Sequence, residues 1–182
     1  MQWRNSSERY GLLSMGLHWL MLLLLIAVYA CIELREFFPK GSEPREALKT
    51  WHFMLGLSVF VLIWFRLGVN RLGHHPRIEP ELPLWQKQSA RVMHYGLYGF
   101  MVFMPLAGWL ILSASAKPIP FFGLTLLPLI NESKNVAEFI KQIHETVGTL
   151  GYFLVGLHTA AALIHHYLLG DNTLRRMLPK QD

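Results

Sequence analysis

The chain has 182 residues, a hydrophobic content of 52%, a mean hydropathy of +0.29 and a single cysteine. This composition indicates one membrane-embedded unit with several spans and leaves little sequence for a soluble domain. The formal charge of +5 comes from Lys and Arg residues scattered between apolar segments. They form neither the long basic run nor the aromatic signature of a nucleic-acid-binding protein. A lone cysteine also excludes an intrachain disulfide and any cofactor that needs two cysteines of this chain.

Four apolar runs are long enough to cross a bilayer, because about 20 apolar residues in a helix span the hydrocarbon core. The N-terminus lacks a short apolar stretch followed by a small-residue cleavage site, so the first run is predicted to be a retained span. The predicted fold is all-α, an integral membrane four-helix bundle forming one transmembrane domain over residues 1–182. The predicted spans are residues 12–34, 51–69, 92–114 and 143–169.

The distribution of positive charge predicts the orientation of these spans. Four crossings place both termini on one side, and ten of the 17 Lys and Arg residues fall on that side. Because cytoplasmic loops carry an excess of Lys and Arg, both termini are predicted to lie in the cytoplasm of a bacterial inner membrane. The ten residues are Arg4, Arg9, Arg66, Arg71, Arg77, Lys87, Arg91, Arg175, Arg176 and Lys180.

The segment between the third and fourth spans is apolar but too short to cross the membrane. Its sequence, KPIPFFGLTLLPLIN, is interrupted by three prolines. It is predicted to lie on the outer surface as a lid or an interfacial segment.

Histidines inside apolar helices are the main functional signal. His144 and His158 are fourteen residues apart in the fourth span, which places them on nearly the same helix face with a rise of about 21 Å. A single membrane histidine is most often a hydrogen-bonded packing residue, but ionisable groups inside a span are costly unless something engages them. Two imidazoles on one stripe predict ligands for two cofactors at two depths.

Matching histidines occur in the first two spans. His18 lies near the start of the first span, at a depth comparable to His158, and His52 begins the second span, at a depth comparable to His144. Neutral imidazole is a good axial ligand for haem iron, and a bundle supplies facing positions from different helices. The pattern therefore predicts two non-covalent, bis-histidine haems, one near each face.

Two further histidines compete for these roles. His94 opens the third span and rivals His18 or His158 as a ligand, and His165 lies seven residues after His158, nearly in line with it. Both lie closer to the predicted inner surface, where a hydrogen-bonded or proton-carrying histidine needs less explanation than in the middle of the membrane. His166 is predicted to be solvated or interfacial. A zinc site is disfavoured, because structural zinc needs clustered ligands and these histidines are spread over the depth of the membrane.

Arg66 has two interpretations from its position. It lies fourteen residues after His52, on the same stripe and near the predicted inner haem. Its guanidinium either pairs with haem propionates or extends to the lipid headgroups as a flanking residue.

Several runs of the chain resemble the bacterial cytochrome b561 family, and the similarity covers nearly the whole sequence. The family in turn resembles the cytochrome b subunits of formate dehydrogenases and hydrogenases. The runs are MGLHW (15–19), WH (51–52), HETVGTLGY (144–152), GLH (156–158), ALIHHY (162–167) and DNTLRRMLP (171–179).

This resemblance implies a four-helix dihaem protein of the inner membrane in which superoxide is oxidised at the periplasmic face and electrons pass to ubiquinone. It implies His18 with His158 for the cytoplasmic-side haem and His52 with His144 for the periplasmic-side haem. Quinone reduction consumes protons, so histidines near the inner haem are candidates for a relay. The candidate quinone or proton-relay residues are Ser14, His94, His165 and His166.

Two other functions remain open on the sequence. The same bundle suits a membrane electron-transfer subunit that works with a protein redox partner, such as a dehydrogenase or hydrogenase, or that assembles as a homo-oligomer. The other alternative is a haem-free, histidine-rich metal transporter, although the spans lack the carboxylate-lined path expected of such a protein.

Overall fold

A computed structural model describes residues 3–179. Met1, Gln2, Lys180, Gln181 and Asp182 therefore lie outside the described residues, including the last lysine of the charge count. The described chain is mostly helical, and four of its helices are long and apolar enough to cross a membrane. This is consistent with a helical membrane bundle and confirms the prediction of four membrane-length helices. The helices are α1 (Leu12–Leu34), α2 (Glu43–Leu72), α3 (Leu84–Ala114) and α4 (Lys134–Tyr167).

Three of these helices begin before the apolar runs that predicted them. Helix α2 starts at Glu43 rather than at residue 51, because Pro44 fits the first turn and two acidic residues there favour the positive end of the helix. Helix α3 starts at Leu84, where Lys87 N–H already donates to the Pro83 carbonyl. The additional helical turns consist largely of polar and charged residues, so they cannot be predicted from runs of apolar residues.

The segment after α3 forms a hairpin that was not among the elements predicted from the sequence. Strands β1 (Ile119–Phe121) and β2 (Leu124–Leu126) form an antiparallel hairpin. Gly123 in its turn has a φ of +85°, which glycine adopts without a steric cost.

The described chain divides into two compact units, and each helix contributes one part to each unit. Within the described residues, the first unit comprises residues 3–20, Trp64–Gly99 and residues 150–179. The second unit comprises Met21–Ile63 and Phe100–Thr149.

The core of the second unit joins the hairpin to α2 and α3. Leu57, Leu112 and Ile119 are buried there. The indole of Trp109 donates to the Leu127 carbonyl (3.0 Å), and Ser113 Oγ accepts from the Leu129 N–H (3.0 Å). These contacts fix the hairpin and its following loop on helices of the same unit.

The first unit is held together by hydrogen bonds from the C-terminal tail, which contains a 3-10 helix at Arg175–Met177. Trp19 Nε1 donates to the Met177 carbonyl (2.9 Å), and Tyr10 N–H donates to the Arg176 carbonyl (3.3 Å). The buried Arg176 guanidinium donates to the Pro76 carbonyl. The tail therefore ties the N-terminal segment to the loop between α2 and α3.

Candidate haem sites

Two histidines from different helices lie side by side in the first unit. His18 on α1 and His158 on α4 have ring centroids 6.3 Å apart, with an interplanar angle of 66°. Both side chains are partly buried.

A second histidine pair lies in the second unit with the same spacing. His52 on α2 and His144 on α4 have ring centroids 6.3 Å apart and an interplanar angle of 74°. The Nδ1 of His52 is 3.0 Å from the Val28 carbonyl, so this nitrogen donates its proton to the backbone. The Nε2 of the neutral ring is then free to bind a metal, which is the usual arrangement for ligating histidines.

The spacing of both pairs fits an iron atom held between two imidazoles. A metal–imidazole bond is about 2 Å long, and the ligating nitrogen lies about 1.1 Å from its ring centroid. Two ligands on opposite sides of one iron are therefore about 6.2 Å apart between centroids. The observed 6.3 Å agrees with this value in each unit.

The surroundings of His144 also fit a flat cofactor. Its ring Cε1 lies 3.6 Å from the position of a Cβ at Gly108, an ordinary van der Waals distance, so α3 packs against the imidazole. The His144 Nδ1 is buried without a hydrogen-bond partner. Gly56, one turn after His52, would meet nothing within 4 Å if it carried a Cβ. Glycines at such positions let a macrocycle approach the helices closely.

His94 joins the pair of the first unit as a third ring. Its centroid is 5.6 Å from that of His158, at an interplanar angle of 67°. This distance is shorter than two iron–nitrogen bonds require, so the geometry favours His18 over His94 as the partner of His158.

Arg66 is directed toward this cluster rather than away from it. Its Nη2 is 3.0 Å from His18 Nδ1, and its Nη1 is buried without a hydrogen-bond partner. A guanidinium only donates, so Nδ1 is the acceptor and the neutral His18 ring carries its proton on Nε2. Iron binding through a neutral Nε2 therefore requires Arg66 to release His18. The released guanidinium would present up to five N–H donors to an anionic group.

The other candidate relay residues of the first unit make different contacts. Ser14 is buried and donates from Oγ to Asn5 Oδ1 (2.7 Å), which also accepts from the Gly11 N–H (2.9 Å). The ring of His166 packs edge-on against Tyr167.

His165 contacts a carboxylate that the sequence analysis did not single out. Asp171 Oδ2 is 2.6 Å from His165 Nδ1, and Asp171 is only 2% exposed. Burial alone raises the pKa of Asp171, but hydrogen bonds from the Thr173 N–H and His165 hold this pKa below its ordinary value. The signal in the sequence was a Gly-Asp-Asn-Thr turn two residues after a helix whose last turn contains two histidines.

An aromatic contact lies beside His52 in the second unit. Trp51 and Phe122 have ring centroids 6.4 Å apart, and Phe122 N–H donates to the Met54 sulfur (3.4 Å). Phe122 has a φ of +45°, a left-handed conformation that is unusual for a bulky residue. Both rings are about half exposed, so the hairpin holds an aromatic side chain beside His52 in the N-terminal half of α2.

Within residues 3–179 there is no group of three or more His, Cys, Asp or Glu side chains arranged to hold a bare metal ion. Paired imidazoles at an iron-spanning distance on membrane-length helices are typical of a membrane b-type cytochrome.

Comparison with known proteins agrees with this class. A family model described as prokaryotic cytochrome b561 matches residues 9–180. The chain is 38% identical over 174 residues to cytochrome b561 homolog 1 of Escherichia coli (strain K12), covering 96% of this chain and 99% of that protein. It is 35% identical over 174 residues to the probable superoxide oxidase CybB of Yersinia pestis, covering 96% and 98% of the two chains. Cytochrome b561 homolog 2 of E. coli is 28% identical over 185 residues, covering 99% and 96%.

The protein belongs to the prokaryotic cytochrome b561 family. The resemblance noted in the sequence is thereby confirmed, and the family implies binding of b-type haem and a role in membrane electron transport.

Proposed function

We propose that this protein is a dihaem membrane oxidoreductase that oxidises superoxide at the periplasmic face and passes the electrons to ubiquinone. The observation that supports it most is the pair of 6.3 Å histidine spacings, one in each unit. The similarity to a protein named as a probable superoxide oxidase supports the choice of donor.

Four histidines are assigned to the iron ligands. His52 and His144 would hold the periplasmic-side haem, and His18 and His158 the cytoplasmic-side haem. Bound haem supplies reversible one-electron chemistry between the ferric and ferrous states. Arg66, once released from His18, would pair with the propionates of the cytoplasmic-side haem.

The outer loops attract the anionic donor. Lysines and arginines there raise the local concentration of superoxide by electrostatic steering, although nearby glutamates reduce the net field. Each superoxide loses one electron and leaves as oxygen. The basic residues are Arg35, Lys40, Arg45, Lys49 and Lys117. Of these, Arg35 and Arg45 pair with Glu36 and Lys49 pairs with Glu46, which weakens their contribution to the field.

Reduction of the quinone requires two electrons and two protons. Two superoxide anions supply the electrons, and the protons come from the cytoplasm, so that one ubiquinone becomes one ubiquinol. The groups proposed to bind the quinone or carry these protons are Ser14, His94, His165 and His166, all in the first unit.

Quinone reduction by the purified chain tests this function directly. The haem-loaded protein in lipid vesicles is given a superoxide source, and ubiquinol is measured with and without a superoxide-removing enzyme. The matched variants are His52→Ala, which removes a proposed ligand, and His75→Ala in the exposed loop. Superoxide-dependent ubiquinol formation by the wild type and His75→Ala, but not by His52→Ala, is expected. Haem reduction only when a separate dehydrogenase is added would instead indicate an electron-transfer subunit.

A further inference from the structure

The end of α4 folds back on itself around His165. Gly170 has a φ of +70°, a conformation that allows the chain to reverse direction directly after the helix. Asp171 then contacts His165 twice: its N–H donates to the His165 carbonyl (3.1 Å), and its Oδ2 accepts from His165 Nδ1 (2.6 Å). The relative position of the carboxylate and the ring is therefore fixed by the backbone as well as by the side chains.

The carboxylate is buried and fully engaged, whereas the ring reaches solvent. The side chain of Asp171 is 1% exposed and that of His165 is 20% exposed. The second carboxylate oxygen of Asp171 accepts from the Thr173 N–H (2.8 Å). The other charged and titratable groups that act here are Arg176, whose guanidinium lies 5.8 Å from the Tyr10 ring centroid, and Tyr10 itself. Arg176 attracts the Asp171 charge but donates its hydrogen bond to Pro76.

A carboxylate on Nδ1 gives His165 a property that the neighbouring His166 lacks. Because a carboxylate only accepts, it keeps the proton on Nδ1 whether the ring is neutral or protonated. The Nε2 nitrogen can then gain and lose a proton without rotation of the ring or loss of its hydrogen bond. The Nδ1 of the neighbouring His166 has no such partner.

His165 also lies between His158, a proposed ligand of the cytoplasmic-side haem, and the C-terminal end of α4. It lies seven residues after His158 on one helix, a rise of about 10 Å on almost the same face.

We propose that Asp171 is a positioning residue that makes His165 the proton donor to the quinone. This inference rests on the proposed function. In each of the two protonation steps a proton leaves His165 Nε2 for a reduced quinone oxygen, and a proton from cytoplasmic water replaces it. The Nδ1 proton stays between His165 and Asp171 throughout, and the electrons come from two superoxide anions.

The substitution Asp171→Asn tests this role while conserving shape. An amide oxygen can still accept from the Thr173 N–H, and the amide NH₂ then donates to His165 Nδ1, which moves the ring proton to Nε2. When the ring is protonated, one donor–donor contact arises in either orientation of the amide: the NH₂ faces His165 Nδ1–H, or, after a flip, it faces the Thr173 N–H. Cycling of His165 between its two protonation states is therefore disfavoured. We expect quinone reduction to slow about tenfold or more and its pH profile to change, with superoxide-driven haem reduction retained.

A control and a second readout separate positioning from structural support. Asn172→Ala removes other bonds of the same tail, to the backbone of Arg77 and Glu79, and should leave the pH profile unchanged. Imidazole ¹⁵N shifts of His165, assigned by difference from His165→Ala, should report an Nδ1–H ring in the wild type and an Nε2–H ring in Asp171→Asn.

Three results would contradict these proposals, and each can be distinguished from the other two. Equal losses in Asp171→Asn and Asn172→Ala, with unchanged pH profiles, would reduce Asp171 to a structural role and overturn the inference. A wild-type rate that survives Asp171→Asn would overturn it while leaving the proposed function intact. A wild type with no quinone reduction would overturn the proposed function and the role of His165 with it.

Discussion

Replacement of His94 by alanine should separate haem binding from quinone reduction. Two iron–nitrogen bonds require ring centroids about 6.2 Å apart, and bond lengths at a well-formed site vary by about 0.2 Å each. The His18–His158 spacing of 6.3 Å lies within that tolerance, whereas the His94–His158 spacing of 5.6 Å falls short of it by more than both bonds can absorb. His94→Ala should therefore keep two haems per chain.

The same substitution should lower the rate of quinone reduction. A positioned histidine that transfers a proton contributes about 100-fold or more to a rate, so a loss of this order is expected if His94 serves the relay. Haem is counted by extraction as its pyridine complex, and the oxidation of reduced haem by quinone is followed by stopped-flow absorbance.

His18→Ala is the matched control, since it should lose or perturb one haem. A His94→Ala protein with a single haem, together with an intact spectrum in His18→Ala, would show that His94 is the ligand and refute the distance argument.

Four further substitutions test other sites of the protein. Arg66→Gln should weaken haem retention in the first unit about tenfold, from the loss of charge-assisted bonds, measured as haem transfer to apomyoglobin; unchanged retention would remove Arg66 from the site. Arg45→Met should lower the free energy of unfolding by about 2–4 kcal/mol, because its buried guanidinium donates to two loop carbonyls at 2.9 Å. Lys49→Met should change this free energy by less than about 1 kcal/mol, since its ion pair is exposed; equal effects in denaturant titrations would contradict this ranking. The folded-state pKa of Asp171 lies below its ordinary 3.8, so its stabilisation is complete above pH 3.8 and is lost as the pH falls through the lowered value. Asp171→Asn should therefore reduce the fall in the free energy of unfolding over this acidic pH range. An unchanged fall would show that protonation of Asp171 is not its cause.

The parts of the fold that follow from helical periodicity could be predicted from the sequence. The first predicted span coincides with α1, and all four apolar runs lie largely within membrane-length helices. The proximity of His18 and His158 could be predicted from the order of the spans and the rise per residue, because residues at the same depth in antiparallel helices lie close together. The sidedness of the termini stays a prediction.

The remaining features depend on packing that leaves no periodic signal. The strands of the hairpin at residues 119–126 are too short to show an alternation of apolar and polar residues. The register of the hairpin depends on burial of Ile119 against α2 and α3. The contact of Asp171 with His165 depends on a single left-handed glycine. The ranking of His94 below His18 rests on a difference of less than 1 Å between ring distances, which no spacing in the sequence encodes.

The most direct test of the central claim is a reduced-minus-oxidised optical spectrum with haem quantification on purified wild type, His52→Ala and His158→Ala. Two b-type haems are expected in the wild type, with each substitution removing or perturbing a different one. A wild type without haem, or two haems that respond to neither substitution, would contradict the assignment of the paired histidines.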